Sequence, residues 1–229
     1  GTAAGRLVMV ARMVSRMVAA LLATVTVAAS PGHACSVVPS YKVPTNLELA
    51  EAADVIVIAE VTGERAGADE YDNRVVAQPT VLLKGATLPP AVELAGAWLE
   101  KSAQMQATVS SPQELRAPNP DALIGGCVRY VFAPGMKLVL FLERDDSGAL
   151  VPFRSAFSRD AEDVAGEDAL WVKAVKEYAA ISLLPAELRK AQLRKRIVAL
   201  QAETDDPDSL AIAADMQVEL EGSRRPAYD

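Results

Sequence analysis

A chain of 229 residues that is 51% hydrophobic and 23% charged is long enough for one substantial core and is composed like a folded globular protein, not a disordered or fibrous one. Its 30 acidic residues outnumber its 23 basic ones, for a formal net charge of −7. Phosphate backbones and anionic lipid repel such a surface, so nucleic acid and peripheral membrane are excluded as expected partners.

The first 34 residues read as an export signal. Arg6, Arg12 and Arg16 form a basic region without an acid, and residues 17–29 are an apolar run too short for a comfortable membrane span. Small residues allow cleavage after Ala29 or after Ala34. The second cut frees the α-amine of Cys35; the first leaves it in a peptide bond. Acylation of Cys35 is the third outcome, although Pro31-Gly32-His33-Ala34 lacks an aliphatic residue before the small pair. The mature chain, 35–229, is expected to be secreted or periplasmic, with no membrane span.

Cleavage after Ala34 removes three arginines and the only histidine, which takes the formal charge from −7 to −10. Without an imidazole, Ser-His-Asp and Cys-His catalysis and His-built zinc sites drop out. The expectation is a non-catalytic chain with no cofactor and no intrinsic metal. Carboxylates remain the only abundant acid–base groups, so a carboxylate-based envelope enzyme stays as an alternative. Export and an even cysteine count pair Cys35 with Cys127 in one disulfide. A loop of roughly 90 residues is worth about 4 kcal/mol in the chain-entropy model, and measured bridges more often give about 2–4.

Thr45 or Asn46 caps a short helix over 47–52. Strands are predicted at 54–64, 74–84, 91–96 and 136–143, the first nearly continuous in β-branched residues and so buried on much of both faces. The proline-bearing stretch 101–126 is a long loop ending at Cys127. Asp145-Asp146-Ser147-Gly148 turns the fourth strand into a fifth at 149–153. Strands spaced by turns favour an antiparallel closed or nearly closed barrel. From about Glu167 the period becomes helical: Trp171, Val175 and Tyr178 fall on one face, as do Leu193, Ile197 and Leu200 on the next helix. Asp206-Pro207 opens a third helix. Arg189, Lys190, Arg194, Lys195 and Arg196 form a solvated face opposite the second stripe, placed to meet the acidic barrel. The organisation is a signal at 1–34, an OB-type barrel at 35–160 and a helical region at 161–229.

Cys35-Ser36-Val37-Val38-Pro39, the strand 53–59, Val81-Leu82-Leu83-Lys84-Gly85, and Cys127 ahead of Pro134-Gly135 and Leu138-Val139-Leu140-Phe141 stand in that order after the signal. In this the chain resembles the netrin-like, OB-fold inhibitory domain of the tissue inhibitors of metalloproteinases and their bacterial relatives. The family's Cys-x-Cys-x-Pro start carries Val37 in place of its second cysteine here. The resemblance implies that Cys35, bridged to Cys127, uses its amine and carbonyl to chelate the zinc of a partner metalloprotease, with Ser36 in the protease's specificity pocket. Such a chelate displaces the zinc-bound water that the protease needs. Two readings stand: a secreted or periplasmic non-catalytic binding module, and a metalloprotease inhibitor acting through Cys35.

Overall fold

The computed structural model describes residues 37–69, 72–102 and 106–226. The expected signal, Cys35 and Ser36 lie outside the described residues. Helix α1, Asn46–Ala52, begins where Thr45 and Glu48 cap each other's backbone: the Thr45 hydroxyl accepts the Glu48 N–H at 3.2 Å, and the Glu48 carboxylate accepts the Thr45 N–H at 2.8 Å. Strands β1 (Val55–Arg65), β2 (Arg74–Lys84), β3 (Val92–Ala95) and β4 (Trp98–Leu99) follow. A 3₁₀ turn, Pro120–Leu123, interrupts the long loop before β5 (Val131–Phe132), β6 (Lys137–Arg144), β7 (Leu150–Pro152) and β8 (Ala161–Val164). Helices α2 (Leu170–Ser182), α3 (Ala186–Gln201) and α4 (Pro207–Glu219) come last.

The architecture is mixed α/β, an antiparallel sheet with four helices among the described residues. The ladder order is β3-β2-β1-β6-β7, and β8 shares the outer edge of β6 with β7, pairing at 137–140 while β7 pairs at 142–144. Strands β1 and β6 are the doubly buried centre. Along them Ile56, Ile58, Val139 and Phe141 face the helices, whereas Val57, Ala59, Leu138 and Leu140 face a second core with Val75, Leu94 and Phe132. That two-sided burial is what a near-continuous β-branched run requires. The β1–β2 register slips at three places, and Pro79, which has no N–H to donate, follows one of these bulges opposite Ala59.

The antiparallel sheet expected from the strand runs is present. Among the described residues no ladder joins β3 to β7, so the sheet is open along one seam. Both edges are short, Pro89-Pro90 precedes β3, and Pro152 ends β7 without an N–H to donate. A side chain crosses the seam instead: Arg154 Nη1 donates to the Ala95 carbonyl at 2.8 Å. The boundary expected at 160 also cuts through the sheet, because β8 continues it to Val164. Moreover, the helices do not form a core of their own: Trp171, Val175, Tyr178, Leu193 and Ile197 pack in one cluster with Leu49 of α1 and Ile56, Ile58 and Phe141 of the sheet. The parallel pair β4–β5, which puts the fully buried Phe132 into the inner core, has no counterpart in the sequence reading.

The basic face of α3 is solvated in part. Lys190, Arg194 and Lys195 are exposed. Arg189 meets Glu51 of α1 at 3.1 Å and donates to the carbonyls of Leu184 and Ser182 at the end of α2, while Arg196 makes a two-pronged pair with Glu177 of α2 at 2.6 and 2.8 Å. These contacts are made with other helices and the turn that follows α2.

Candidate functional site

Of the residues singled out from the sequence, Cys127 is described and Cys35 and Ser36 are not. No cysteine among the described residues is free. Cys127 is buried in a small cluster with Val43 and Phe157, against which Val37, Tyr41, Leu123 and Ala156 pack. Val37, two positions after Cys35, therefore lies at Cys127's own cluster. The segment is held at several points. Tyr41 turns back to the Val38 carbonyl at 2.8 Å, its hydroxyl donates to the Ala156 carbonyl at 2.9 Å, and Val43 exchanges backbone hydrogen bonds with Arg224 at 2.6 and 3.4 Å.

The wall behind this segment is strained. Cys127, Arg154 and Phe157 have φ of 62°, 52° and 57°, a left-handed conformation that costs side-chain-bearing residues about 1–3 kcal/mol each and concentrates at functional positions. Phe157 N–H donates to the Cys127 carbonyl at 2.8 Å, and the Asp160 carboxyl accepts the Ser155 N–H at 2.9 Å, so the turn is locked from both ends. Burial pushes the Asp160 carboxyl up to about 7. Burial and then Asp160 also raise the Tyr41 phenol.

A groove of about 690 Å³ opens beside the cluster, between the segment 113–118, α4 and residues 224–226. Its floor is apolar, with Val43, Leu115, Leu123 and Phe157, and Arg116 and Arg224 stand on its lining. Asp215, itself buried, is the polar anchor. It accepts from Asn46 Nδ2 at 2.9 Å, from the Tyr178 hydroxyl at 2.6 Å and from Arg116 Nε at 3.2 Å, tying α1, α2, α4 and the loop together. One turn further on, Glu219 accepts the Asn46 N–H at 2.9 Å and is pushed up to about 7 by burial.

A second polar cluster pins the loop 106–119 to β8. Ser110 Oγ bonds both Glu162 and Asp163 Oδ1, the latter at 2.8 Å, and Asn119 N–H donates to Glu162 at 2.8 Å. Arg129, stacked over Phe132 at 5.0 Å, donates to Asp163. Burial raises the Glu162 carboxyl, against the pull of Arg159 and of its hydrogen bonds from Ser110 and Asn119. Burial pulls Asp163 the same way, but Arg129 and the Ser110 N–H outweigh it and hold it low. Each carboxyl bonds a backbone N–H of the loop, which makes the arrangement a clamp. The only local signal was the acidic run 160–163 after Arg159, which as sequence resembles a solvated turn.

Among the described residues no three or more His, Cys, Asp or Glu side chains are grouped to hold a metal ion, and no helix is long and apolar enough to cross a membrane. No protein-family model and no curated protein matches this chain.

Proposed function

We propose that this chain is an exported, non-catalytic binding module, stapled by a Cys35–Cys127 disulfide and built on a netrin-like, OB-type barrel left open at one seam. Five strands in the order β3-β2-β1-β6-β7, short at the free edges, fit a partly open barrel of that type. The observation that carries the reading is the convergence of segment 37–43 with Cys127 and Phe157, both left-handed, beside the groove. Strain of that kind is retained where a surface must keep one shape, and a fixed surface loses little entropy on binding. Edman sequencing of the protein recovered outside the cytoplasm tests the reading, with Cys35 as the expected first residue.

The second reading is inhibition of a metalloprotease through the Cys35 amine and carbonyl, with Ser36 in the specificity pocket. Val37 favours it, because it packs on the cluster of Cys127, the cysteine that this reading pairs with Cys35. The zinc belongs to the partner, and a free amine is required. Titration against a panel of zinc proteases separates the readings: native protein inhibits and a version with one extra alanine before Cys35 does not. Equal inhibition by both removes the amine from the mechanism.

A further inference from the structure

Resting on the binding-module reading, we propose that the groove beside Cys127 takes a short extended segment of a partner protein in which an acidic side chain lies next to apolar ones. The floor supplies the apolar half of that recognition: Val43, Leu115, Leu123 and Phe157 line one continuous groove of about 690 Å³, within the range of sites that hold a ligand of several residues' bulk. The lining supplies the other half. Arg116 uses Nε on Asp215 at 3.2 Å and Nη2 on the Ala214 carbonyl at 3.3 Å, and its Nη1 has no acceptor among the described residues. Arg224 spends only Nη2, on the Arg116 carbonyl at 3.5 Å, so Nε and Nη1 are uncommitted among the described residues.

Neither guanidinium group is used up, and each residue is anchored, Arg116 by its side chain and Arg224 by its backbone. Arg224 is fixed by its backbone exchange with Val43, and Arg116 by Asp215. The acids of the same lining are already engaged: Asp215 accepts three side-chain donors, and Glu114 accepts the N–H groups of Arg116 and Ala117 at 2.6 and 3.1 Å. A local positive rim over an apolar floor, on a chain whose net charge is −7, selects an acid of single charge over a polyanion, which the rest of the surface repels. Guanidinium forks bind carboxylate with two parallel hydrogen bonds, and an open groove suits an extended chain.

The test is selection of a phage-displayed random heptapeptide library on the oxidised mature protein, followed by binding of the most enriched peptide to ¹⁵N-labelled protein. The expected result is enrichment of Asp or Glu flanked by Leu, Ile or Phe, with amide shifts confined to the groove, at 43, 113–118, 123, 157, 211–215 and 224. Affinity should fall with added salt and drop about ten-fold in Arg224→Gln. Arg194→Gln, on the exposed face of α3, is the control and leaves binding unchanged. Arg224 is exposed and its backbone bridge does not depend on its side chain, so an unchanged circular dichroism spectrum verifies that the variant is folded. Enrichment without acidic bias, indifference to Arg224→Gln, or no enrichment overturns the proposal. Shifts at 37–41 in place of the groove overturn the ligand class while leaving the module reading intact, since that reading is tested by the N-terminus of the exported chain.

Discussion

Phe157 donates its backbone N–H to the carbonyl of Cys127 at 2.8 Å, and both residues hold left-handed backbone, at φ of 57° and 62°. Two strained residues bonded to each other need a surround that over-determines them. The buried cluster with Val43 supplies part of it, and the proposed bridge to Cys35 the rest. Cys127→Ser is therefore expected to lower stability by about 2–4 kcal/mol. Urea unfolding measures it, and reductant should lower the wild-type midpoint to near that of the variant. A midpoint insensitive to both changes would exclude the bridge.

Stability should decline as pH rises towards neutrality. The folded carboxyls of Asp160 and Glu219 are pushed up to about 7, so the folded chain keeps protons that the unfolded chain releases near its ordinary carboxylate range. Their contribution is complete below that ordinary range and is lost as pH rises through about 7, at up to about 1.4 kcal/mol per pH unit for each group. Asp163 and Glu114, held low, act in the opposite sense and weaken the fold only in more acid solution. Urea midpoints from pH 5 to 8 check the slope, which Asp160→Asn should flatten. A slope of the opposite sign would show that neither carboxyl is protonated in the folded chain.

Ser110→Ala and Glu162→Gln distinguish a clamp from a catalytic site. As a clamp, each change costs about 1–3 kcal/mol through the polar partners left behind. Amide exchange should quicken across 106–119, with no enzymatic turnover altered. A reproducible hydrolysis abolished by Glu162→Gln in a protein of unchanged stability would instead establish the carboxylate-based enzyme.

Removing everything after residue 165 should prevent folding. The helices cover Ile56, Ile58, Val139 and Phe141, and truncation would expose them together with the Trp171-facing side of Phe141, whose ring centroid is 6.2 Å from that of Trp171. The expected product is aggregated or lacks near-ultraviolet dichroism. A soluble 35–165 fragment with a cooperative thermal transition would restore the idea of an independent barrel.

The parts of the fold that follow from local chemistry were legible. Aliphatic and β-branched runs marked β1, β2 and β6, a cap at Thr45 or Asn46 marked α1, and the 3.6-residue stripe marked the buried faces of α2 and α3. What escaped depends on distant partners. Strand β8 is Ala-Glu-Asp-Val, a poor strand sequence that pairs because β6 offers an edge and because Ser110, Asn119 and Arg129 satisfy its acids. Strands β4 and β5 are too short to have a period. The groove is assembled from residues about 180 positions apart in sequence, such as Val43 and Arg224, and no window of sequence contains both. Cys127 was marked by its rarity; its left-handed backbone and its contact with Phe157 were not.

The most direct measurement is the intact mass, before and after reduction, of the chain recovered outside the cytoplasm. A species that begins at Cys35 and gains two hydrogens on reduction is the predicted result. A chain kept in the cytoplasm with its first 34 residues attached and both thiols free would contradict the account, because neither the staple nor a free α-amine on Cys35 would then exist. A start at Ser30 or a mass raised by acyl chains would remove the amine-dependent inhibitor reading alone.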